Sequence, residues 1–312
     1  MIFLNNYRND FTNPIIQWQL AMQLNTKIRE AGINMMLFRN NSMAALFLKL
    51  LNPRLKIAFN IGIEQDSYEK LPYFKFLVYI SLIAKTSIAH FLYVNTQQGY
   101  NSSIAFAPFL KKKLKIIREG IPERYFLKKG EGKHRKKIVL CVARLTPNKQ
   151  QEVLIRAFAS IHNKHKDWKL KLVGWDQDGD YAIYLANLSD KLGIWWEGMH
   201  PLPMDDIALR KEYLNASIFC LPSLQEQPGT ARTEAMAMGL PVVTTRTNGS
   251  EFVEGSGIIV PIGDEKALAK GLDKFMSSAN ARDEASKRER EDVEQFRAIK
   301  VAKELLDYIK SC

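Results

Sequence analysis

Pro222 to Val243 reads PSLQEQPGTARTEAMAMGLPVV. The apolar run Phe219-Cys220-Leu221 just before it suits a strand buried on both faces. Pro228 and Gly229, both turn formers, break that run. Thr230 to Met238 then reads as a helix, closed by Gly239 with Pro241 two residues on. Leu240 to Thr244 is apolar and β-branched again. Strand, loop, helix and strand in this order form the repeating unit of a parallel α/β sheet.

Open sheets of this kind bind ligands beyond the carboxyl ends of their strands. The start of the helix presents unpaired N–H groups and a partial positive charge there. Gly229, Thr230 and Ala231 therefore make a seat for a phosphate, with Gly229 allowing close backbone approach. Two acids bracket the turn, Glu226 in the loop and Glu234 in the helix, an E-x7-E pair. A carboxylate accepts two O–H bonds at once, so Glu234 can hold the vicinal diol of a ribose. Glu226, nearer the strand edge, can hold sugar hydroxyls or face a developing positive charge. The bland alternative is a pair of solvated acids beside a turn.

The same alternation extends outward. Ile138–Val142, Lys169–Val173, Ile194–Glu197, Ser217–Leu221 and Gly257–Val260 read as further strands. Helices are expected over 152–161, 181–191, 205–214 and 265–276. A polar helix follows over 282–295 and an amphipathic one over 301–309. Upstream the pattern repeats in shorter pieces. Strands are expected over 2–4, 33–38, 55–61, 91–94 and 114–117, and helices over 14–30, 42–51 and 74–85. Asn13 and Pro14 suit the first helix start.

At 312 residues the chain suits two domains, and a hydrophobic content of 46% supports a core in each. The net charge of +12 points to an anionic partner: a nucleotide, a nucleic acid or a membrane surface. No aromatic-interleaved or helix-turn-helix pattern accompanies the charge, which argues against nucleic acid. Residues 111–137 are strongly basic and read as a solvated crossing between domains, or as a face toward a membrane or a phosphate-bearing acceptor. Leu71–Lys85 is the most apolar segment and reads either as a core helix or as a helix on a membrane surface. Cys141, Cys220 and Cys312 show no metal spacing, and the first two fall in core strands, which fits a reducing cytosol. No signal peptide or spanning helix is expected.

The E-x7-E pair followed by EAMAMGLPVV resembles the retaining glycosyltransferases of the GT-B fold, glycosyltransferase family 4 in particular. The match runs over roughly residues 138–275, and the connector phrase IIREGIPERYF is similar as well. The resemblance implies an α/β protein of two Rossmann-like doubly wound domains with a small N-terminal one. Residues 1–125 would form the acceptor-side domain and 126–290 the nucleotide-sugar domain. Residues 291–312 would return to pack on the N-terminal domain.

The resemblance also assigns roles. Glu226 becomes the catalytic carboxylate that orients and stabilises the transferred sugar, with a double displacement on it the less favoured route, and Glu234 the ribose ligand. Arg144 and Lys149, five apart after the first strand of the second domain, neutralise the departing diphosphate. Two cations supplied this way remove the need for a metal, so no cofactor is expected. Thr244–Glu251 resembles the family's glycine-containing loop before an acid, and Gly198 and Met199 fall where the backbone meets the base. The implied activity is transfer from a nucleoside-diphosphate sugar to a saccharide or lipid-linked acceptor in cell-surface polysaccharide or lipopolysaccharide synthesis. Such an enzyme would be cytoplasmic, with peripheral contact on an anionic membrane. The first loop, NNYRNDFTNP, lacks the family's glycines, and no acceptor-side residue is assigned.

Three other readings compete. Asp176-Gln177-Asp178 is a D-x-D, the pair that holds a divalent metal in GT-A enzymes. A non-catalytic sugar-nucleotide-binding protein would keep the E-x7-E site and lose the acceptor side. A phosphorylase-like enzyme would need inorganic phosphate.

Overall fold

The structure, a computed structural model, describes residues 14–38, 42–61, 72–175, 179–194, 196–200 and 206–311. The chain divides into two compact units, Met1–Arg118 and Glu119–Cys312.

The first unit holds four parallel strands in the order β1-β2-β3-β4: Met35–Phe38, Lys56–Asn60, Phe91–Val94 and Leu114–Ile116. Helices Pro14–Glu30, Ser42–Leu51, Pro72–Ile88 and Gln97–Phe106 connect them. The last of these is absent from the expectations. QQGYNSSIAF has little apolar periodicity, and its start is fixed instead by Thr96, whose hydroxyl accepts from Gly99 N at 3.0 Å. The expected strand over 2–4 lies outside the described residues. In Pro72–Ile88, Leu82 is buried while Phe76, Leu77, Ile80 and Ile83 are exposed, so a wholly buried core helix is excluded.

The second unit holds six parallel strands: β5 Ile138–Val142, β6 Lys169–Val173, β7 Trp196–His200, β8 Ile218–Leu221, β9 Val242–Thr245 and β10 Ile258–Val260. Their order is β10-β9-β8-β5-β6-β7, the doubly wound order, which reverses between β5 and β8. Side chains alternate across this sheet. Val139, Cys141, Leu170, Leu172, Ile218 and Cys220 face one core with helices Gln151–His162 and Glu265–Ser277. Ile138, Leu140, Phe219 and Leu221 face the other, with Tyr213, Ala235 and Met236. Cys141 and Cys220 are buried free thiols, and burial pushes Cys141 up to about 12.

The connector is not a solvated crossing. Ile121, Tyr125 and Phe126 are buried in the second core. Ile121 N donates to Phe296 O and Ala298 N to Ile121 O, and Arg297 sits 3.8 Å above the Phe126 ring. This packing places the division at Arg118/Glu119, ahead of residue 125. Residues 291–312 count with the second unit.

Candidate functional site

The sheet reverses between β5 and β8, so the loops leaving those two strands diverge and open a crevice at their carboxyl ends. Two loops meet there. The first leaves β5 as Ala143-Arg144-Leu145 and makes a single 3₁₀ turn, Pro147–Lys149. Gln150 closes it in the left-handed region at φ 48°, uncommon without a glycine, and turns the chain into the next helix. Gln151 is fully buried and its Nε2 donates to Arg144 O at 2.8 Å, which holds the loop on the strand end. Gly174, after β6, packs so closely below that a Cβ there would lie 1.7 Å from Ala143 O.

The second loop leaves β8 as Pro222-Ser223-Leu224-Gln225-Glu226. Leu224 N donates to Asn148 O at 2.8 Å, tying it to the first loop. Glu226 Oε1 receives two donors, Lys149 Nζ at 2.7 Å and Ser223 Oγ at 2.6 Å. The Lys149 and Glu226 side chains are only 13% and 8% exposed. An ion pair this dry is held by charge-assisted hydrogen bonds rather than by screened attraction. Sequence spacing put Lys149 with Arg144 and Glu226 with Glu234. The structure brings Lys149 and Glu226 together instead, and leaves Arg144 exposed on the loop.

The turn into the helix Thr230–Ala237 is built on Gly229 at φ 79°. No side chain among the described residues caps this helix, which offers its first amides to a ligand, with Thr230 and Ala231 partly exposed. Glu234 sits partly exposed one turn further, and its Oε2 accepts from Tyr213 Oη at 3.0 Å. Burial, and then the Glu234 carboxylate, drive the Tyr213 phenol well above its usual value, so it stays a donor.

Beneath the turn lies Arg232, fully buried. Its Nη2 donates to Pro228 O at 2.7 Å and Asn248 O at 2.9 Å, and its Nη1 to Thr244 Oγ1 at 3.1 Å. It thereby fastens the turn to the 246–249 loop. Burial lowers its guanidinium to about 10, against the opposing pull of Glu226 and Glu251. Gly249, at φ 83°, approaches this turn and not open space: a Cβ would lie 2.1 Å from Pro228 O. Glu251 folds back, its Oε2 accepting from Gly249 N at 2.9 Å.

Ser223, Gln151, Tyr213 and Arg232 were not singled out by sequence. Ser223 carried a signal, standing three residues before Glu226 in an S-x-x-E. Arg232, a charge in a stretch that otherwise reads as core helix, carried another. Tyr213 and Gln151 carried none. Gly198 and Met199 lie on β7, the edge strand beside β6. Asp176 and Asp178 lie outside the described residues. His90 sits at the amino end of β3, away from that sheet's ligand edge, and burial followed by nearby Lys56, Lys113 and Lys49 lowers its imidazole. No group of three or more metal-ligating side chains occurs among the described residues.

The sequence profile of the family described as "Glycosyl transferases group 1" matches residues 124–292. The uncharacterized glycosyltransferase MJ1607 of Methanocaldococcus jannaschii is 33% identical over 178 residues, covering 56% of this chain and 45% of that protein. The amylovoran biosynthesis glycosyltransferase AmsK of Erwinia amylovora is 34% identical over 170 residues, 51% of this chain and 40% of its own. The chain spans about half the length of the curated relatives it matches. Among solved structures, Anabaena Alr3699/HepE in complex with UDP and glucose superposes with a TM-score of 0.76 at 17% identity, covering 94% of this chain and 82% of that one. Sucrose-phosphate synthase from Thermosynechococcus elongatus gives 0.75 at 18%, covering 99% and 81%. At these identities the likeness carries the GT-B fold and nothing finer.

Proposed function

The chain belongs to the group 1 glycosyltransferases, and from that premise we propose that it moves a sugar from a nucleoside-diphosphate sugar to a saccharide or lipid-linked acceptor, with retention of anomeric configuration. The observation that carries this reading is the dry Lys149–Glu226 pair beside an uncapped helix start, at the point where the second sheet reverses.

The diphosphate takes the amides of Gly229, Thr230 and Ala231. Glu234, oriented by Tyr213, takes the ribose diol. Lys149 has three donors; one holds Glu226, and the others turn to the diphosphate together with Arg144. Glu226, fixed by Lys149 and Ser223, faces the anomeric carbon as positive charge develops there. The acceptor oxygen attacks on the face from which the diphosphate leaves. The sugar–phosphate C–O bond breaks, and the departing phosphate oxygen takes the acceptor proton. The two cations stabilise the leaving group, so no metal is required. A UDP-sugar is the first donor to test, since HepE binds UDP and UDP-glucose. AmsK, by its name, serves exopolysaccharide synthesis, which supports a polysaccharide or lipid-linked acceptor.

An anionic membrane surface is the proposed partner of the first unit. Phe76, Ile80 and Ile83 form an exposed apolar stripe at helical spacing on Pro72–Ile88, and Leu46 and Leu50 stand exposed on Ser42–Leu51. Lysines and arginines far outnumber acids in this unit, which suits anionic headgroups. No helix among the described residues is long and apolar enough to cross a membrane.

Incubation with labelled UDP-sugars and a panel of saccharide and lipid-linked acceptors tests the activity. Product whose new linkage keeps the donor's anomeric configuration by NMR supports it. Donor binding without product or hydrolysis would instead make the chain a sugar-nucleotide-binding protein, and an inverted linkage would remove the front-face step.

A further inference from the structure

A cavity lies at the end of the second sheet opposite the candidate site. It measures 370 Å³ and is bordered by Ser217, just before β8, and Pro241, just before β9. The candidate active site lies past the carboxyl end of β8. At about 3.3 Å per residue the two are separated by on the order of 15 Å of strand.

Two basic stretches far apart in sequence form its walls. Lys133 and Arg135 come from the basic run before β5, and Arg282 and Arg290 from the helix Ala279–Val293. Two acids also line it. Glu131 is already engaged, accepting from Lys128 N and paired with Arg210. Asp283 stands beside Arg282 and offsets part of its charge. Arg282 itself lies over the Trp168 ring and donates to Phe275 O. Lys133, Arg135 and Arg290 are left with no acid of their own among the described residues.

Arg135 is held by carbonyls alone. Its Nη1 donates to Tyr213 O at 2.8 Å and Ala216 O at 2.9 Å, and its Nη2 to Met238 O at 2.6 Å. These are the carbonyl ends of two helices, so the guanidinium acts as a fixed cap. Burial, and then the facing Arg290, lower it to about 10. Cations brought to one concave wall repel one another, and a polar cavity of this size admits a small ligand that would relieve the repulsion.

We propose that this cavity binds a small phosphorylated anion of two or more charges, with Arg290 and Lys133 as its direct ligands and Arg135 as the fixed charge behind them. Arg and Lys differ usefully here, one offering a planar fork and the other a mobile point charge. The source is a free phosphate compound or a lipid headgroup, which share this chemistry. The inference stands apart from the transfer reaction, because none of these residues belongs to the β5/β8 crevice.

Calorimetric titration of the full chain with inorganic pyrophosphate at low salt tests it. Wild type should bind, and the K133Q/R290Q double variant should bind at least about tenfold more weakly. The donor seat offers pyrophosphate a separate site, so Lys149→Met, at the other end of the sheet, should weaken only that one and keep the site that Lys133 and Arg290 form. Equal affinity in the double variant would overturn the proposal, and so would a loss confined to Lys149→Met, which would place the anion in the donor seat. Lys133 is exposed, so K133Q alone, expected to weaken binding several-fold, serves if the double variant fails to melt cooperatively. Sedimentation with phosphatidic acid vesicles separates the sources. Vesicle binding that depends on Lys133 and Arg290 and is displaced by pyrophosphate identifies a headgroup, and pyrophosphate binding without it identifies a free ligand.

Discussion

Lys149 Nζ lies 2.7 Å from Glu226 Oε1, across the point where the second sheet reverses its strand order. The two residues come from loops after different strands and are 77 positions apart. Each fixes the other in a largely dry setting, so the pair works as a unit and responds to mutation as one.

Lys149→Met should therefore lower kcat by about 10²–10³-fold, since it removes a leaving-group cation and also frees Glu226 to move. Glu226→Gln should do the same. The double variant should be little worse than either single one, which steady-state kinetics on all three would show. Additive losses would mean that the two residues act separately.

Glu234→Ala should weaken binding of the free nucleoside diphosphate by about tenfold or more, because a hydrogen-bonded diol contact is lost. Tyr213→Phe should weaken it less, since it removes only the donor that orients the carboxylate. Unchanged affinity in Glu234→Ala, read by calorimetry, would remove Glu234 from the ribose.

Gly174→Ala should cost about 3 kcal/mol or more in urea denaturation, as a Cβ at 1.7 Å from Ala143 O forces the β5 and β6 loops apart. The same variant should lose donor affinity, because Arg144 and Lys149 ride on the displaced loop.

Glu289 is fully buried. Its Oε1 accepts from Val242 N at 2.9 Å while its Oε2 has no hydrogen-bond partner among the described residues. Burial raises its carboxyl well above the ordinary value, with nearby Asp292 adding to the shift. The folded protein thus holds a proton that the unfolded chain releases above about pH 4.3. The stability linked to Glu289 is complete below that pH and is lost as pH rises toward the folded value. Glu289→Gln keeps the Val242 contact without an ionisable proton. It should match wild type in thermal melts below about pH 4 and increasingly exceed it as pH rises toward the alkaline range. Parallel curves for the two proteins would show that Glu289 does not titrate in this way.

Local signals made most of the fold readable. Strands such as Phe91–Val94, Ile138–Val142 and Lys169–Val173 are continuous apolar or alternating runs between turn residues, and the observed bounds coincide with the expected ones. Gln97–Phe106 was hidden because its helix rests on a Thr96 cap and tertiary packing, not on an apolar stripe. The connector's burial was hidden because Ile121, Tyr125 and Phe126 sit among lysines and glycines that read as solvated chain. At the candidate site, the acids and the uncapped turn were visible from Glu226, Gly229 and Glu234. The partners were not, since Lys149, Tyr213 and Arg232 reach their contacts through sheet order, which no linear spacing encodes.

A thermal-shift panel of UDP, GDP, ADP and CMP, run with a chelator and again with magnesium, probes the donor seat most directly. A ligand at about one hundred times its dissociation constant adds about 2.7 kcal/mol of stability. The expected result is stabilisation by one nucleoside diphosphate that is equal with and without magnesium and is reduced in Lys149→Met and Glu234→Ala. Stabilisation that requires magnesium, or that survives both substitutions unchanged, would contradict a metal-free donor seat at the β5/β8 reversal.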